Sequence, residues 1–306
     1  MSSRALDSFR PPSGMGLSEL VRQALAEDIG PGDVSAAIFS AKEWGSGQIL
    51  AKEAGVLSGS EVVDEVFRQL SKKSTVVWKR KNGQKFASGD TLAVISAPLP
   101  ALLQGERTAL NFLQHLCAVA TLSRKFTEEI RKRSGRKVRP KIYDTRKTTP
   151  LLRALEKQAV ADGGSSNHRF ALFDMAMLKN NHLDAAGGIS AAVERLNATG
   201  FFALKPRRLL CVEARSSAEA LAALKHRADI IMLDNMTPTQ IEKTVGLLVN
   251  EAKKLKKRRP QIEISGGITL SNLHRYAKLP IDRISVGALT HSAGSLDIAL
   301  HFQKCV

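Results

Sequence analysis

Downstream of Arg139 the chain repeats one pattern six times: a short run of mostly apolar residues, followed by a helical stretch. The runs are Lys141–Thr145, Met175–Asn180, Leu209–Glu213, Asp229–Asn235, Ile262–Gly266 and Asp282–Leu289. Strands that are apolar on nearly every residue must be covered on both faces, and strands alternating with helices pair in parallel. The helices have readable starts. Ser216 and Glu219 have capping-box spacing, and Thr237 is followed by Pro238 at the first helical position. An eight-stranded barrel needs about 250 residues, more than Leu122–Leu289 supplies. An incomplete barrel of six or seven strands, or an open doubly wound sheet, is what the length allows.

Upstream the pattern is that of a smaller α+β domain. Helices are expected over Leu17–Glu27 and Ser60–Leu70, strands over Ser46–Val56, Thr75–Arg80 and Thr91–Ser96, and a turn at Asn82-Gly83. A long helix, Gln104–Arg133, joins the halves and carries Arg107 and Arg124. The expected division is a loose tail over 1–16, an N-terminal domain over 17–121, the barrel over 122–289, and a segment 290–306 returning to the N-terminal domain.

Composition narrows the function. A hydrophobic share of 43% and a charged share of 25% describe an ordinary soluble domain. The longest weakly polar stretch, Thr91–Gln104, contains two prolines and falls short of the roughly 18 apolar residues of a membrane span. Residues 1–16 show no apolar segment behind Arg4 and Arg10, so no secretion signal is expected. Cys117, Cys211 and Cys305 are too far apart for a zinc site and odd in number for a disulfide framework. A reducing cytoplasm is the expected compartment.

The 46 Lys and Arg outnumber the 29 Asp and Glu, a net charge of +17 that calls for anionic partners. Nucleic acid is the default for such a charge, yet aromatics are only 5% of the chain and no binding motif is visible. Arg124–Arg169 concentrates 14 cations against 5 acids, and Lys253–Arg259 is basic at six of seven positions. The second cluster closes a helix before Pro260, where cations complement the helix dipole and face water. Arg153 and Lys157, at helical spacing in the first cluster, are also expected to be solvated.

Each polar motif falls at the C-terminal end of a predicted strand: Asp144 to Thr149, Lys179 to His182, Glu213, Asp234-Asn235, Ser265-Gly266-Gly267, and Gly287. In parallel α/β architectures ligands bind at that rim. Arg146, Lys147, His168, Arg169 and Lys179 suit carboxylate or phosphate, and the glycines let backbone N–H groups approach a phosphate. Glu213 and Asp234 could hold Mg²⁺, bind sugar hydroxyls or stabilise a cationic sugar in glycosyl transfer. Lys179, placed in an apolar strand end, is expected to be a buried ammonium in need of an anion. Asp144 fits a turn cap and a ligand role equally. His182 and His291 read as structural, and Cys211 as a small core residue. A Schiff-base aldolase with Lys179 as nucleophile would also fit a barrel.

The segments AEDIGPGDVS, ERTALNFLQ, DTRKTTPLLRALEKQAVADGGSSNHR, LKNNH, LDNM, EISGGIT and ISVGALTHS closely resemble the quinolinate phosphoribosyltransferase family from about Leu17 to the C-terminus. The resemblance implies an N-terminal α/β sandwich followed by an incomplete α/β barrel. It implies transfer of phosphoribosyl from phosphoribosyl pyrophosphate to quinolinate with decarboxylation and Mg²⁺, a step of NAD synthesis, in a homo-oligomer (dimer or hexamer) with sites at the interface. By motif, Arg107 would reach the neighbouring subunit's site, and Arg146, His168 and Arg169 would grip the quinolinate carboxylates. Lys147 and Lys179 would lie between those and the pyrophosphate-bearing sugar. Glu213 and Asp234 would meet the ribose hydroxyls and the metal, and Ser265, Gly266, Gly267 and Gly287 would cradle the 5-phosphate. A related group associated with molybdate transport shares this fold; the intact DTRKTTP and NHR segments favour the quinolinate enzymes. The family's usual Glu-Val-Glu reads Cys211-Val212-Glu213, its Lys-Asp-Asn-His reads Lys179-Asn180-Asn181-His182, and Cys117-Ala118-Val119 replaces Ser-Gly-Ile.

Overall fold

The computed structural model describes residues 16–135 and 139–303. The tail expected over 1–16 therefore lies outside the described residues, apart from Gly16. The chain divides into two compact units. The first contains residues up to Arg124, 148–164 and the segment from Ser292; the second contains 125–147 and 165–291.

In the first unit, α1 (Leu17–Ile29) is followed by β1 (Trp44–Ala51), β2 (Gly55–Val56), α2 (Ser60–Leu70), β3 (Thr75–Trp78), β4 (Lys85–Phe86) and β5 (Thr91–Pro98). The 35-residue α3 (Leu99–Arg133) starts five residues before its expected beginning and ends in the second unit. β12 (Ile298–Gln303), which the sequence reading did not recognise as a strand, pairs antiparallel with β1 and completes the order β12-β1-β5-β3. Along β1 alternate residues are buried, as one covered face requires. Val62, Val63, Val66 and Phe67 form the buried stripe of α2 and share the core with Ile49, Leu92 and Ile95.

α4 (Arg153–Asp162) belongs to this first unit, although the sequence division placed it with the barrel. Polar ties hold it there. Glu156 is fully buried and accepts the Thr149 N–H at 3.1 Å and His115 Nε2 at 2.8 Å. Asp162 accepts the Ser58 hydroxyl at 2.7 Å, and Arg124 donates to the carbonyls of Gly163 and Asp162 at 2.9 and 3.2 Å. Lys157, expected to be solvated, is buried on this helix.

The second unit contains a six-stranded parallel sheet: β6 (Lys141–Tyr143), β7 (Ala176–Leu178), β8 (Leu210–Ala214), β9 (Ile230–Asp234), β10 (Gln261–Ser265) and β11 (Arg283–Ser285), ordered β6-β11-β10-β9-β8-β7. Among the described residues β6 and β7 end the sheet and do not pair with each other, so the barrel stays open. Its helices are α5 (Asn180–Ala186), α6 (Ile189–Ala198), α7 (Ser217–Lys225), α8 (Pro238–Lys254) and α9 (Ala288–His291). Val212, Ile231, Leu233, Ile262, Ile264 and Ile284 cover one face of the sheet and are completely buried. The alternate positions carry Glu213, Asp234, Glu263, Ser265, Arg283 and Ser285 on the other face.

Both helix starts read from sequence are built as caps. At α8 the box is reciprocal, Gln240 N–H to Thr237 Oγ1 at 3.3 Å and Thr237 N–H to Gln240 Oε1 at 2.8 Å. At α7 only half forms: Ser216 accepts the Glu219 N–H, while the Glu219 carboxylate takes the Arg215 N–H at 2.6 Å. The Lys253–Arg259 cluster is not uniformly solvated. Lys253, Lys254, Lys256 and Arg258 are exposed, but Arg259 forks onto Asp282 at 2.7 and 2.8 Å, and Asp282 accepts the Ile262 N–H at the start of β10. No described helix is long and apolar enough to cross a membrane.

The hydrogen bond to Glu156 raises the pKa of His115 against the opposing effect of burial. A histidine with a raised folded pKa contributes stability that is complete below its unfolded value and is lost as pH rises through the folded one. The urea midpoint is expected to fall as pH rises above the unfolded histidine value of about 6.5, with His115→Gln flattening that slope. An unchanged slope in the variant would remove His115 as its source.

Candidate active site

A cavity of about 850 Å³ opens over the C-terminal ends of the parallel strands, wholly within the second unit. Arg146, Lys147, His168, Arg169, Lys179, Glu213, Asp234, Ser265, Gly266, Gly267 and Gly287 all line it. Arg107 is not among the lining residues; it is exposed on α3 in the first unit.

One side of the cavity is cationic and unsatisfied. The Nε atoms of Arg146 and Arg169 are buried without a hydrogen-bond partner. Nη1 of Arg169 donates to the Met175 carbonyl at 3.0 Å. Burial, then the neighbouring Arg146 charge, lowers the pKa of Arg169. Two neighbouring guanidiniums with unpartnered buried donors are chemically suited to a carboxylate or phosphate, which would satisfy the donors and offset the repulsion. Lys147 stands beside them on the loop after β6, its carbonyl accepting the Thr290 hydroxyl at 2.7 Å.

A second side is backbone. Gly266 and Gly267 adopt φ of 96° and 59°, in the left-handed region that favours glycine. A Cβ on Gly266 would collide with the Asn235 amide, so the close approach also requires glycine. At Gly287 a Cβ would lie 3.1 Å from both His291 Nε2 and Lys147 Cδ. Bare backbone of this kind presents N–H groups to an anion.

The two carboxylates are fixed in orientation. Glu213 is buried; its Oε1 accepts the Asn180 N–H at 3.3 Å, and its Oε2 is 3.9 Å from Lys179 Nζ. Lys179 is not the buried ammonium that the sequence suggested. β7 stops at Leu178, and the Lys179 side chain is 48% exposed at the mouth of the cavity. Asp234 Oδ1 accepts the Ser265 hydroxyl at 2.6 Å, and Oδ2 accepts the Asn235 amide at 2.8 Å. Asn235, which shares the rim motif with Asp234, has φ 53°; it aligns Asp234 and packs on Gly266.

The remaining expectations sort clearly. Asp144 is fully buried and does not line the cavity; it accepts the His168 N–H at 2.7 Å, tying the loop after β6 to the following one. His182 Nδ1 accepts the Lys179 N–H at 3.2 Å, a structural role at the start of α5. His291 lines the cavity. Cys211 sits in the core with Met175, Ile230 and Met232, and burial raises its thiol pKa well above the usual value. Glu263, passed over in the sequence, is fully buried on β10 beneath the rim, with Arg283 as its register partner on β11. A charged pair at one level of two apolar strands was the available signal.

Among the described residues no cluster of three or more His, Cys, Asp or Glu could hold a metal by itself. Glu213 and Asp234 supply hard oxygen donors at the rim. That set fits Mg²⁺, which keeps waters and is bound through one or two carboxylates together with substrate phosphates.

Gly266→Ala forces a side chain onto Asn235 in a left-handed backbone. We expect weaker ribose 5-phosphate binding by calorimetry, by about tenfold or more, and a melting temperature lower by a few degrees. Unchanged affinity would remove the SGG turn from the anion site.

Residues 33–117 match the family model described as quinolinate phosphoribosyl transferase, N-terminal domain, and residues 119–301 match its C-terminal domain. The chain is 35% identical over 284 residues to the probable nicotinate-nucleotide pyrophosphorylase [carboxylating] of Bacillus subtilis, covering 93% of this chain and 92% of that protein. It is 36% identical over 300 residues to the human nicotinate-nucleotide pyrophosphorylase [carboxylating], covering 98% and 95%. The crystal structure of NadC from Streptococcus pyogenes superposes with a TM-score of 0.84 at 38% identity, covering 97% of this chain and 99% of that one.

Proposed function

The chain belongs to the quinolinate phosphoribosyltransferase family, and from that membership we infer that it is a nicotinate-nucleotide pyrophosphorylase (carboxylating). It transfers phosphoribosyl from phosphoribosyl pyrophosphate to quinolinate, releasing pyrophosphate and carbon dioxide and giving nicotinate mononucleotide for NAD synthesis. The observation that carries this reading at the level of chemistry is the pair of buried, unpartnered guanidinium Nε atoms of Arg146 and Arg169 facing a glycine-lined rim. Quinolinate brings two carboxylates and phosphoribosyl pyrophosphate brings three phosphorus groups, so a receptor of this polarity suits both.

Arg146 and Arg169 hold the quinolinate carboxylates and present the pyridine nitrogen to the anomeric carbon. Ser265, Gly266, Gly267 and Gly287 receive the 5-phosphate on backbone N–H groups. Lys147 and Lys179 lie where negative charge gathers on the departing pyrophosphate. As the C–O bond to pyrophosphate lengthens, positive charge develops on the ribose, and Glu213 and Asp234 oppose it. Both carboxylates are already oriented by neighbouring donors, so they need little rearrangement as that charge grows. Once the ring nitrogen is quaternised, its positive charge stabilises the carbanion left on the adjacent ring carbon when the carboxylate departs as carbon dioxide, and that carbon then takes a proton from solvent.

Glu213 and Asp234 are also the residues that would hold Mg²⁺, which when bound neutralises pyrophosphate charge. Arg107, exposed and outside the cavity lining, is proposed to complete the site of a second copy in a homodimer or hexamer. A cytoplasmic location fits the free, buried thiols of Cys117 and Cys211.

Incubation with quinolinate, phosphoribosyl pyrophosphate and Mg²⁺ is expected to yield nicotinate mononucleotide, and its absence would overturn the assignment. Glu213→Ala or Asp234→Ala is expected to lower kcat by about 10²-fold or more while moving the KM for quinolinate far less. A turnover within twofold of wild type would remove the carboxylate from the role given to it here.

A further inference from the structure

His168 lines the cavity, yet both of its ring nitrogens face the protein. Nδ1 accepts the backbone N–H of Arg169 at 2.8 Å, and Nε2 stands 3.2 Å from Oε1 of Glu263. A nitrogen that accepts carries no proton. With Nδ1 accepting, the ring hydrogen belongs on Nε2, on the side of Glu263.

Glu263 is inaccessible to solvent and does not itself line the cavity; it contacts two residues that do, His168 and Ser285. Its Oε2 is 2.6 Å from Arg283 Nε, and its Oε1 also takes the Ser285 hydroxyl. The Arg283 guanidinium lies 3.7 Å from the centre of the Tyr143 ring, and that ring meets His168 edge-on. Burial alone would raise the Glu263 pKa, but His168, Arg283 and Ser285 hold it below the ordinary carboxylate value. A buried ion pair contributes little net stability compared with apolar residues of the same size. What this one contributes is direction, because each of its contacts fixes a neighbour in one orientation.

We propose that Glu263 is a positioning residue for substrate recognition: it holds His168 in one tautomer, His168 holds the Arg169 backbone, and the Arg169 guanidinium is thereby aimed at a substrate carboxylate. His168 then acts through Arg169 rather than as a donor to the substrate. The inference rests on the cavity being a quinolinate site, and it identifies which buried charge makes that site selective for the dicarboxylate.

Glu263→Gln places an amide N–H against Arg283, so the side chain no longer has one preferred orientation toward His168. Steady-state kinetics are expected to show the KM for quinolinate rising about tenfold or more, with the KM for phosphoribosyl pyrophosphate and kcat within about twofold of wild type. An unchanged quinolinate KM, or equal rises in both KM values, would overturn the proposal. In ¹⁵N-labelled wild-type protein, long-range proton–nitrogen correlation is expected to show His168 as the neutral Nε2–H tautomer. A protonated Nδ1 would overturn the relay whether or not the variant folds. A wild type that makes no nicotinate mononucleotide would instead overturn the functional assignment, and the tautomer would still decide the relay.

Discussion

A parallel sheet covered on both faces has only one place for polar chemistry. In the second unit the outer face of β8 to β11 is sealed by fully buried Val, Leu and Ile, and the ladder satisfies the strand backbones. Polar side chains are therefore confined to the inner face and the strand ends. The parallel sense puts all six C-terminal ends on one rim, so six loops distant in sequence deliver their first residues to a single cavity. The cavity over the strand ends follows from this constraint.

The same constraint explains what was legible in the sequence. The six runs, their direction and the rim positions of Glu213, Asp234 and Ser265 can be read because a two-faced buried strand is apolar until it ends. The first charged residue then marks the rim. Lys179 misled for the same reason: it follows Met177 and Leu178 without a break, yet β7 has already stopped and its side chain is half exposed. α4 falls within the barrel's stretch of sequence yet is grouped with the first unit; hydrophobic period alone does not say which core a helix joins. Buried hydrogen bonds decided it, above all those of Glu156 and Asp162. β12 was missed because an isolated alternating segment near the chain end has no turn or partner strand beside it in sequence, although it pairs along six residues with β1.

Glu263 was hidden by a different effect. A single acid in an apolar run reads as noise until its neighbour in space is known, and Arg283 lies 20 positions downstream. Register places the two side by side. In the folded chain the pair lies beneath the rim, with Glu263 against His168 and Ser285, which line the cavity. Catalytic residues announce themselves at strand ends, whereas the residues that hold them in place sit one pleat lower and are legible only once strand order is fixed.

Strand order also arranges the site along the rim. Read across the sheet, the loop after β6 gives Arg146 and Lys147, β11 and β10 give Gly287 and the SGG turn, β9 and β8 give Asp234 and Glu213, and β7 is followed by Lys179. Cationic positions thus occupy both ends, and carboxylates and bare backbone occupy the middle. A uniformly basic pocket would bind any polyanion and resist positive charge on a bound sugar. With the carboxylates set between cationic and bare-backbone positions, the rim has the polarity that a doubly charged ring, a pyrophosphate and a cationic sugar fragment between them would require. The net charge of +17 carries no specificity by itself; the alternation along the six strand ends gives part of it a pattern suited to a phosphorylated sugar beside a dicarboxylate.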